Sequence, residues 1–176
     1  MADELLDQVD KNDNVIGTVW KSQAHKNPDI IHREAGIAVF NDCGEILLQQ
    51  RSFSKVNGPG MWDISSVGHI VAGEDPKVGI ARELYEELGI NVDPIYFDKF
   101  YSTHAKDGEN RESRFTWVYY AVVNKYTHLR LQSEEVNDAK WVKFADIKNF
   151  AKVNDFRLDR ELIRLTFKIA EKLKVI

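Results

Sequence analysis

The chain has 176 residues, of which 43% are hydrophobic and 30% charged, and its 24 basic and 28 acidic side chains give a formal net charge of −4. This length and composition exclude an extended disordered protein, and the charge excludes a nucleic-acid binder that depends on a broad basic surface. The single cysteine, Cys43, excludes a disulfide framework, and no apolar stretch is long enough to span a membrane, so we expect one cytoplasmic domain over 1–176.

The first part of the chain predicts β-strands separated by turns. Two short strands belong to an N-terminal extension over 1–30. A hairpin follows, because the turn sequence Asn-Asp-Cys-Gly separates two segments that are typical of strands. A loop with two glycines then leads into a further short strand. The predicted strands are Glu4–Val9, Val15–Trp20, Ala35–Phe40, Glu45–Arg51 and Ile64–Val71.

Asp75–Leu88 has the pattern of an amphipathic helix. Asp75 is a favourable N-cap residue, Pro76 suits the first helical position, and Gly89 is a typical C-terminal stop. Three apolar residues at intervals of four make one face of the helix apolar. They are Ile80, Leu84 and Leu88.

The second half of the chain predicts strands first and helices last. Two long strands are joined by a polar loop over Thr103–Arg114, and a short strand, a short helix and an amphipathic helix over about 155–174 follow. The order of elements indicates an α/β (α+β) fold with a mixed sheet between helices. The remaining predicted elements are the strands Ile95–Ser102, Phe115–Val123 and Lys140–Phe144 and the helix Ala145–Phe150.

Three glutamates of the Asp75–Leu88 helix lie on one face. Glu83, Glu86 and Glu87 are spaced i, i+3 and i+4, and like charges at this spacing destabilise a helix by about 0.2–0.5 kcal/mol per pair. Arg82 offsets part of this cost by pairing with Glu86. Two interpretations are open: a solvated acidic face, or a site for a hard divalent cation such as Mg²⁺, which prefers oxygen ligands.

The surrounding sequence favours the cation site. Gly68 is followed after five residues by Glu74, and after seven more by Arg-Glu-Leu-Tyr-Glu-Glu-Leu-Gly-Ile over 82–90. This resembles the signature box of the Nudix hydrolases, 68–90, at all nine specified positions. The resemblance continues in Gly-Met-Trp-Asp before the box and in Glu-Glu-Val and Trp-Val after it. It implies the Nudix fold, a mixed β-sheet sandwiched between helices with the box as loop–helix–loop.

The resemblance also implies a chemistry, the hydrolysis of a diphosphate linkage to a variable group X by water. Mg²⁺ is the implied cofactor, with Mn²⁺ as the alternative, and the implied partner is a small-molecule diphosphate, with a homodimer allowed. Arg82 and Glu74 would hold the ligands in place, and the general base would come from the helix or from Glu134 or Glu135. The implied metal ligands are Gly68, through its carbonyl, and Glu83, Glu86 and Glu87.

Several other residues have both a structural and a functional interpretation. Arg51 and Lys55 suit either phosphate binding or simple surface charge. Tyr85 lies beside the apolar stripe, which favours partial core packing over a functional hydroxyl. Four aromatic residues favour core packing over stacking on a substrate: Trp62, Phe100, Tyr101 and Phe115.

Residues 4–90 also resemble type I isopentenyl-diphosphate isomerase, a branch of the same superfamily. The opening Glu-Leu-Leu-Asp-Gln-Val-Asp, the run Leu-Leu-Gln-Gln-Arg and a Gly-His pair carry this likeness. In that enzyme the histidines that match His25, His32 and His69 bind a metal together with two glutamates. Glu112 matches the first glutamate, but Arg114 occupies the second position. We therefore expect a weakened or absent second metal site, whose residues form a wall beside the substrate phosphates.

Val67 is the decisive departure from the isomerases. The resemblance requires a catalytic cysteine directly before the Gly-His pair, and valine cannot transfer a proton to or from a carbon skeleton. The sequence therefore predicts a Nudix hydrolase, with two alternatives: an isomerase-like protein and a non-catalytic binding module of Nudix fold. Such modules usually lack box carboxylates, which are all present here.

Overall fold

The computed structural model describes residues 3–106, 110–156 and 160–175. Within them, nine strands form one sheet. Most strands occur where the sequence predicted them, and several are longer. They are β1 (Leu5–Val9), β2 (Val15–Trp20), β3 (Ile31–Asn41), β4 (Glu45–Arg51), β5 (Trp62–Asp63), β6 (Ser66–His69), β7 (Ile95–Lys106), β8 (Asn110–Val123) and β9 (Val136–Lys143).

Four helices accompany the sheet in these ranges. A single 3₁₀ turn, Phe144–Asp146, precedes the third helix. The longest helix has 14 residues, and among the described helices none is long and apolar enough to cross a membrane. The helices are α1 (Lys21–Ala24), α2 (Pro76–Leu88), α3 (Ile147–Val153) and α4 (Arg160–Leu173).

Strand β3 organises the sheet. Along one edge it runs parallel to β8 from Ile31 to Asn41. Along its other edge it pairs antiparallel with β1, β6 and β4 in turn. His32 pairs with β1, and Glu34 lies opposite His69 of β6. This edge therefore joins the N-terminal extension to the strand that leads into the box.

The sheet lies between α2 and α4. Successive β3 side chains point to opposite faces of the sheet. Ile37 and Val39 pack in a buried cluster with Leu84 of α2, whereas Phe40 packs in a second cluster with Leu165 of α4. The predicted mixed sheet between helices is confirmed.

Both ends of α2 form as the sequence predicted. The Asp75 carboxylate accepts a hydrogen bond from the Lys77 amide at 2.8 Å, and Pro76 occupies the first turn. Gly89 has φ of 72°, a left-handed conformation in which a side chain would be strained. These caps fix the two ends of the helix, so its residues 82–87 keep a defined face toward the sheet edge.

The polar loop predicted over Thr103–Arg114 is wrong where the structure describes this segment. Strands β7 and β8 extend through Thr103–Lys106 and Asn110–Arg114. The prediction failed because Glu112 and Arg114 are polar yet buried, and they pair with each other instead of with solvent.

The C-terminal helix begins later than the predicted residue 155. Helix α4 begins at Arg160, and Phe156 instead forms an isolated bridge with Trp62. The bridge holds this segment extended against β5. Leu158, which the sequence analysis assigned to the helix, lies outside the described residues.

Candidate active site

Arg82 holds the acidic face of α2 together. Its guanidinium makes two contacts with Glu74, from Nε to Oε1 and from Nη2 to Oε2, each of 3.0 Å. Its Nη1 donates to Glu83 at 2.8 Å and to Glu86 at 3.3 Å. The predicted pairing of Arg82 with Glu86 is confirmed. One cation therefore orders three carboxylates of the box.

Strand β6 passes so close to α2 that residue 68 must lack a side chain. A Cβ atom on Gly68 would lie 2.5 Å from Cδ of Glu83. Carbon atoms do not approach this closely without displacing one another. The main chain of Gly68 therefore lies beside the Glu83 carboxylate.

Glu87 is the most enclosed carboxylate of the box. Its side chain is buried, and its Oε2 accepts hydrogen bonds from the Ser66 hydroxyl at 2.7 Å and from the Gln49 amide at 3.1 Å. Burial raises the pKa of Glu87 to about 8, and the charge of Glu83 adds to the rise, although the two hydrogen bonds oppose it. Burial also raises the pKa of Glu83.

This donor set fits a hard divalent cation. The ligands that the resemblance implies are all oxygen atoms, and Mg²⁺ and Mn²⁺ prefer such ligands. Because burial disfavours the charged forms of Glu83 and Glu87, a cation beside them would restore those forms. Arg82 alone leaves the group of carboxylates net negative.

The acidic face and Arg82 line a cleft of about 430 Å³ that also contains three further basic side chains, Lys21, Arg51 and Lys55. Lys21 pairs with Glu4 at 2.7 Å, and the Arg51 Nε donates to the Asn57 carbonyl at 3.1 Å. Lys55 is the third. Both basic residues that the sequence analysis left open, Arg51 and Lys55, therefore line the same cleft as the acidic face.

Of the two glutamates predicted as alternative bases, Glu135 lines the cleft. Its carboxylate forms an ion pair with Lys55, and its carbonyl accepts a hydrogen bond from the Ser52 amide at 2.8 Å. Glu134 is exposed and accepts from the Ser133 hydroxyl at 3.3 Å. The geometry therefore favours Glu135 over Glu134.

The three histidines singled out by the isomerase resemblance form a cluster, and two of them, His25 and His69, line the same cleft. His25 follows α1, His32 lies in β3, and His69 lies in β6. The Nε2 atoms of His25 and His69 are 2.9 Å apart, and one nitrogen from each of the three rings lies within 4.8 Å of the others. Burial lowers the pKa of His32 to about 3 and lowers that of His69 well below its usual range. Both rings are therefore neutral and can offer lone pairs.

Glu112 and Arg114 extend this cluster into a buried ion-pair chain. Glu112 Oε1 lies 3.3 Å from His25 Nδ1, and its Oε2 accepts from Arg114 Nη1 at 2.8 Å. Arg114 Nε lies 3.2 Å from Glu34 Oε1, and that oxygen also accepts from Thr116 at 3.3 Å. Arg114 therefore pairs with two carboxylates, Glu112 and Glu34.

Val67 stands in β6 between Ser66 and the Gly-His pair. It is half-buried, lines the cleft and packs against the cluster of core residues on the α4 side. The position where the isomerase resemblance requires a cysteine is therefore a wall of the cleft without a group that can transfer a proton.

The aromatic residues contribute little to the cleft. Tyr85 is 51% exposed, with the Arg130 guanidinium 5.5 Å from its ring centre, so the prediction of partial core packing is wrong. It lies outside the apolar stripe of α2, on the solvent side of the helix. Four aromatic residues that the sequence analysis assigned to the core are absent from the described lining of the cleft: Trp62, Phe100, Tyr101 and Phe115. Trp62 and Phe115 are buried and Phe100 packs partly buried against the core, whereas Tyr101 is 48% exposed, so the prediction of core packing is wrong for Tyr101.

Four polar residues of the site escaped sequence analysis. Glu34 directly precedes the apolar segment 35–40 of β3, which is a weak signal of a buried charge. Gln49 and Ser66 reach Glu87 from β4 and β6, and Lys21 enters the cleft from α1. Their roles depend on how strands distant in sequence meet, so no local pattern marks them.

Sequence similarity to proteins of known family extends over most of the chain. The NUDIX domain family matches residues 30–165. An isopentenyl-diphosphate Delta-isomerase of Streptomyces avermitilis is 32% identical over 145 residues, which cover 81% of this chain and 73% of that enzyme. An uncharacterised Nudix hydrolase of Pseudomonas aeruginosa is 33% identical over 142 residues, which cover 80% and 79%. Nudix hydrolase 3 of Arabidopsis thaliana is 33% identical over 88% of this chain but only 21% of its own length.

Solved structures share the fold. The crystal structure of DR0079 from Deinococcus radiodurans superimposes with a TM-score of 0.70 at 21% identity and covers 92% of this chain and 98% of that one. A MutT protein of Methanosarcina mazei superimposes with a TM-score of 0.59 at 22% identity, over 82% and 95% of the two chains. At this level of identity, the likeness concerns the arrangement of the sheet and helices.

Proposed function

The chain belongs to the Nudix family, in a branch that resembles isopentenyl-diphosphate isomerase, and we propose that it is a Mg²⁺-dependent hydrolase of a small-molecule diphosphate. The substrate is a diphosphate linked to a group X, of the nucleoside diphosphate-X type. Water attacks one phosphorus atom, the bond from that atom to the bridging oxygen breaks, and the bridging oxygen leaves with the other phosphate.

One observation carries the proposal: the cleft combines a complete set of oxygen ligands with a group of basic side chains. Glu83, Glu86 and Glu87 face it from α2, and Lys21, Arg51 and Lys55 line the same space. A diphosphate is a chain of anionic oxygens, so it needs both cationic side chains and a metal ion to bind beside carboxylates. A purely solvated acidic face would not explain why Glu87 is buried.

Each of the residues in the cleft would have a separate role in the reaction. Bound Mg²⁺ would neutralise charge on the phosphate oxygens and activate a water molecule. Arg51 and Lys55 would bind the remaining phosphate oxygens and orient the diphosphate. Glu135 would accept the proton of the attacking water, because it lines the cleft and Lys55 holds it in place. Arg82 would keep the box carboxylates in position.

Isomerisation is the second candidate, because a relative with the isomerase name, from Streptomyces avermitilis, is 32% identical to this chain and the histidine cluster is retained. Val67 is evidence against isomerisation. Isomerisation moves a proton from one carbon to another, and a valine side chain has no acidic or basic group. We therefore expect no interconversion of isopentenyl and dimethylallyl diphosphate.

The test is to incubate a panel of diphosphates with purified protein and Mg²⁺ or Mn²⁺ and to identify the products by mass spectrometry. The panel should include nucleoside triphosphates, nucleotide sugars, dinucleotides and isoprenoid diphosphates. We expect cleavage between the phosphates of at least one class and no isomer of either isoprenoid diphosphate. Glu86→Gln protein, purified identically, controls for contaminating enzymes. Isomerisation by wild-type protein, or no cleavage of any class, would contradict the proposal.

A further inference from the structure

We infer that Asp7 of the N-terminal extension is a positioning residue for the candidate active site, because it holds the turn 71–74 and thereby the contact between Glu74 and Arg82. The match to the NUDIX domain family begins at residue 30, so Asp7 lies outside the matched residues. The effect of Asp7 on turnover rests on the proposed function, whereas its effect on Arg82 can be measured without metal or substrate.

The turn 71–74 connects β6 to the start of α2. The Glu74 amide closes this turn with a hydrogen bond of 3.0 Å to the Val71 carbonyl. Gly73 has φ of 78°, a left-handed conformation that residues with a side chain rarely adopt. Glu74 is the last residue of the turn, so the position of its carboxylate depends on how the turn is held.

Strand β1 binds both central amides of the turn. The Ala72 amide donates to the Leu5 carbonyl at 2.8 Å, and the Gly73 amide donates to Oδ1 of Asp7 at 3.0 Å. The first contact uses only the main chain of β1, so any residue at position 5 could make it. The second contact requires a side-chain acceptor, which the Asp7 carboxylate provides.

Asp7 is buried, so its charge needs a partner. Its Oδ2 lies 3.6 Å from Nη1 of Arg33, which also donates from Nε to Asp13 at 2.7 Å. Oδ1 of Asp7 therefore binds the turn, whereas Oδ2 lies toward β3. Replacing a buried ion pair by apolar residues is often neutral for stability, so stability alone gives a weak reason for a carboxylate at this position.

Glu74 carries the effect of the turn to the box. Its carboxylate makes two contacts of 3.0 Å with Arg82, and a Cβ atom on Gly79 would lie 2.9 Å from its Oε2, so the carboxylate lies directly against α2. Arg82 also donates to Glu83 and Glu86. A displaced turn would withdraw Glu74 from Arg82. The guanidinium would then pair with Glu83 and Glu86 alone and compete with a cation for them.

The first measurement follows the Nε–H proton of Arg82 by NMR in metal-free, full-length protein. Glu74 accepts this proton, so its exchange with water reports the contact directly. Asp7→Leu removes the acceptor of the turn and should speed the exchange at least about tenfold, because a hydrogen bond to a charged group is strong enough to shift an equilibrium by that factor. Asp7→Asn keeps the shape but loses the charge, and should speed the exchange about fivefold.

Asp13→Asn is the matched control, because it makes the same change in the other carboxylate that Arg33 contacts. Asp13 also pairs with Lys99 at 2.7 Å, so this variant should lose stability. The Nε–H proton of Arg33 should exchange faster in it, whereas the Arg82 proton should exchange at the wild-type rate. Equal acceleration of the Arg82 proton in Asp7→Asn and Asp13→Asn would indicate general loosening of the fold and would overturn the inference. A wild-type rate for the Arg82 proton in either folded variant of Asp7 would also overturn it.

The second measurement connects Asp7 to the proposed hydrolysis. The Mg²⁺ concentration that gives half-maximal turnover should rise about tenfold in Asp7→Leu, the lower end of the range for loss of an outer partner of a metal ligand, and should not change in Asp13→Asn. If wild-type protein cleaves no diphosphate, the proposed function fails and the Arg82 measurement still decides the role of Asp7. If wild-type protein cleaves one and Asp7→Leu has an unchanged Mg²⁺ requirement, the inference is wrong and the hydrolysis stands.

Discussion

The carboxylate side of the cleft lies on a single helix, whereas the histidine side is assembled from three separate elements. Glu83, Glu86 and Glu87 all lie on α2, and Arg82 of the same helix pairs with Glu83 and Glu86. His25, His32 and His69 come from the end of α1, from β3 and from β6. The first arrangement is determined by helical spacing, and the second by the pairing of β3 with its neighbours.

Burial shifts the pKa values of the carboxylates and of the histidines in opposite directions. It raises the pKa of Glu87 to about 8 and lowers the pKa of His32 to about 3. In both cases burial favours the neutral side chain. A cation would convert Glu87 to its charged form, whereas it would use the lone pair that His32 already has. Burial thus keeps a carboxyl group and an imidazole of the same region in their neutral forms.

The largest effect should come from removing a box carboxylate. Glu87→Gln keeps the size of the side chain but removes a ligand charge, and Glu86→Gln does the same at the exposed edge. We expect at least a ~10²-fold loss of Mg²⁺-dependent turnover in each, the scale seen when one well-placed electrostatic group is removed. Initial rates on the best substrate of the diphosphate panel would measure it.

Glu134→Gln is the matched control for these variants, because Glu134 is exposed and absent from the described lining of the cleft. It should retain nearly full turnover. Equal rates in Glu87→Gln, Glu86→Gln and wild-type protein would mean that the carboxylate side is not the hydrolytic site.

The carboxylate side was predictable from sequence because its information is local. A helix fixes the positions of residues three and four apart, so spacing alone placed Glu83, Glu86 and Glu87 on one face. The caps Asp75 and Gly89 could also be identified, since each satisfies the helix end next to it. No long-range contact was needed for these predictions.

The hydroxyl that supports Glu87 should have the next largest effect. Ser66→Ala removes the 2.7 Å hydrogen bond to the Glu87 carboxylate. The Glu87 carboxylate, held by Gln49 alone, should then bind Mg²⁺ about 10- to 100-fold more weakly, as is usual when an outer partner of a metal ligand is lost. The measurement is the Mg²⁺ concentration that gives half-maximal turnover.

Ser65→Ala provides the control. Ser65 is equally buried and adjacent in sequence, but its hydroxyl donates to the Leu47 carbonyl and accepts from the Val39 amide. It should lower thermal stability without changing the Mg²⁺ requirement. If both serine variants shift the Mg²⁺ requirement alike, Ser66 has only a general packing role.

The histidine side could be predicted in part. The resemblance named the three histidines and Glu112, but no sequence pattern predicted that Glu34 lies beside Arg114. Glu34 and Arg114 are 80 positions apart and meet only because β3 and β8 run in parallel. The polar composition around Arg114 even predicted a loop. A buried ion pair between distant strands has no local signature, so it appears only in the folded chain.

The pH dependence of stability should distinguish the two sides. In metal-free protein between pH 7 and 8, Glu87 still holds a proton in the folded state that the unfolded chain has lost, so stability should fall as pH rises, by about 1 kcal/mol. His32 and His69 act oppositely: the unfolded chain takes up protons near pH 6.5 that the folded state refuses, so their contribution falls as pH decreases below that value.

Chemical unfolding at several pH values would measure both slopes. Glu87→Gln should abolish the loss between pH 7 and 8 and leave the acid-side loss unchanged. Saturating Mg²⁺ should also abolish the first slope, because the bound cation stabilises the charged carboxylate. If stability still falls between pH 7 and 8 in Glu87→Gln protein, another titratable group causes that fall.

The smallest effect should come from Lys21, which lines the cleft from the helix that leads to His25. Lys21 already pairs with Glu4 at 2.7 Å and is one-third exposed, so solvent and Glu4 both reduce its attraction for a phosphate. Lys21→Met should raise KM by less than about fivefold and leave kcat unchanged, because the contact is equally strong in the ground state and the transition state. The rise in KM should shrink at high salt, as screening weakens the interactions of exposed charges.

Lys26→Met, a change of an exposed lysine outside the cleft, should leave KM unaltered. A large fall in kcat for Lys21→Met would instead place Lys21 at the reacting phosphate and make the boundary between the two sides of the cleft part of the catalytic machinery.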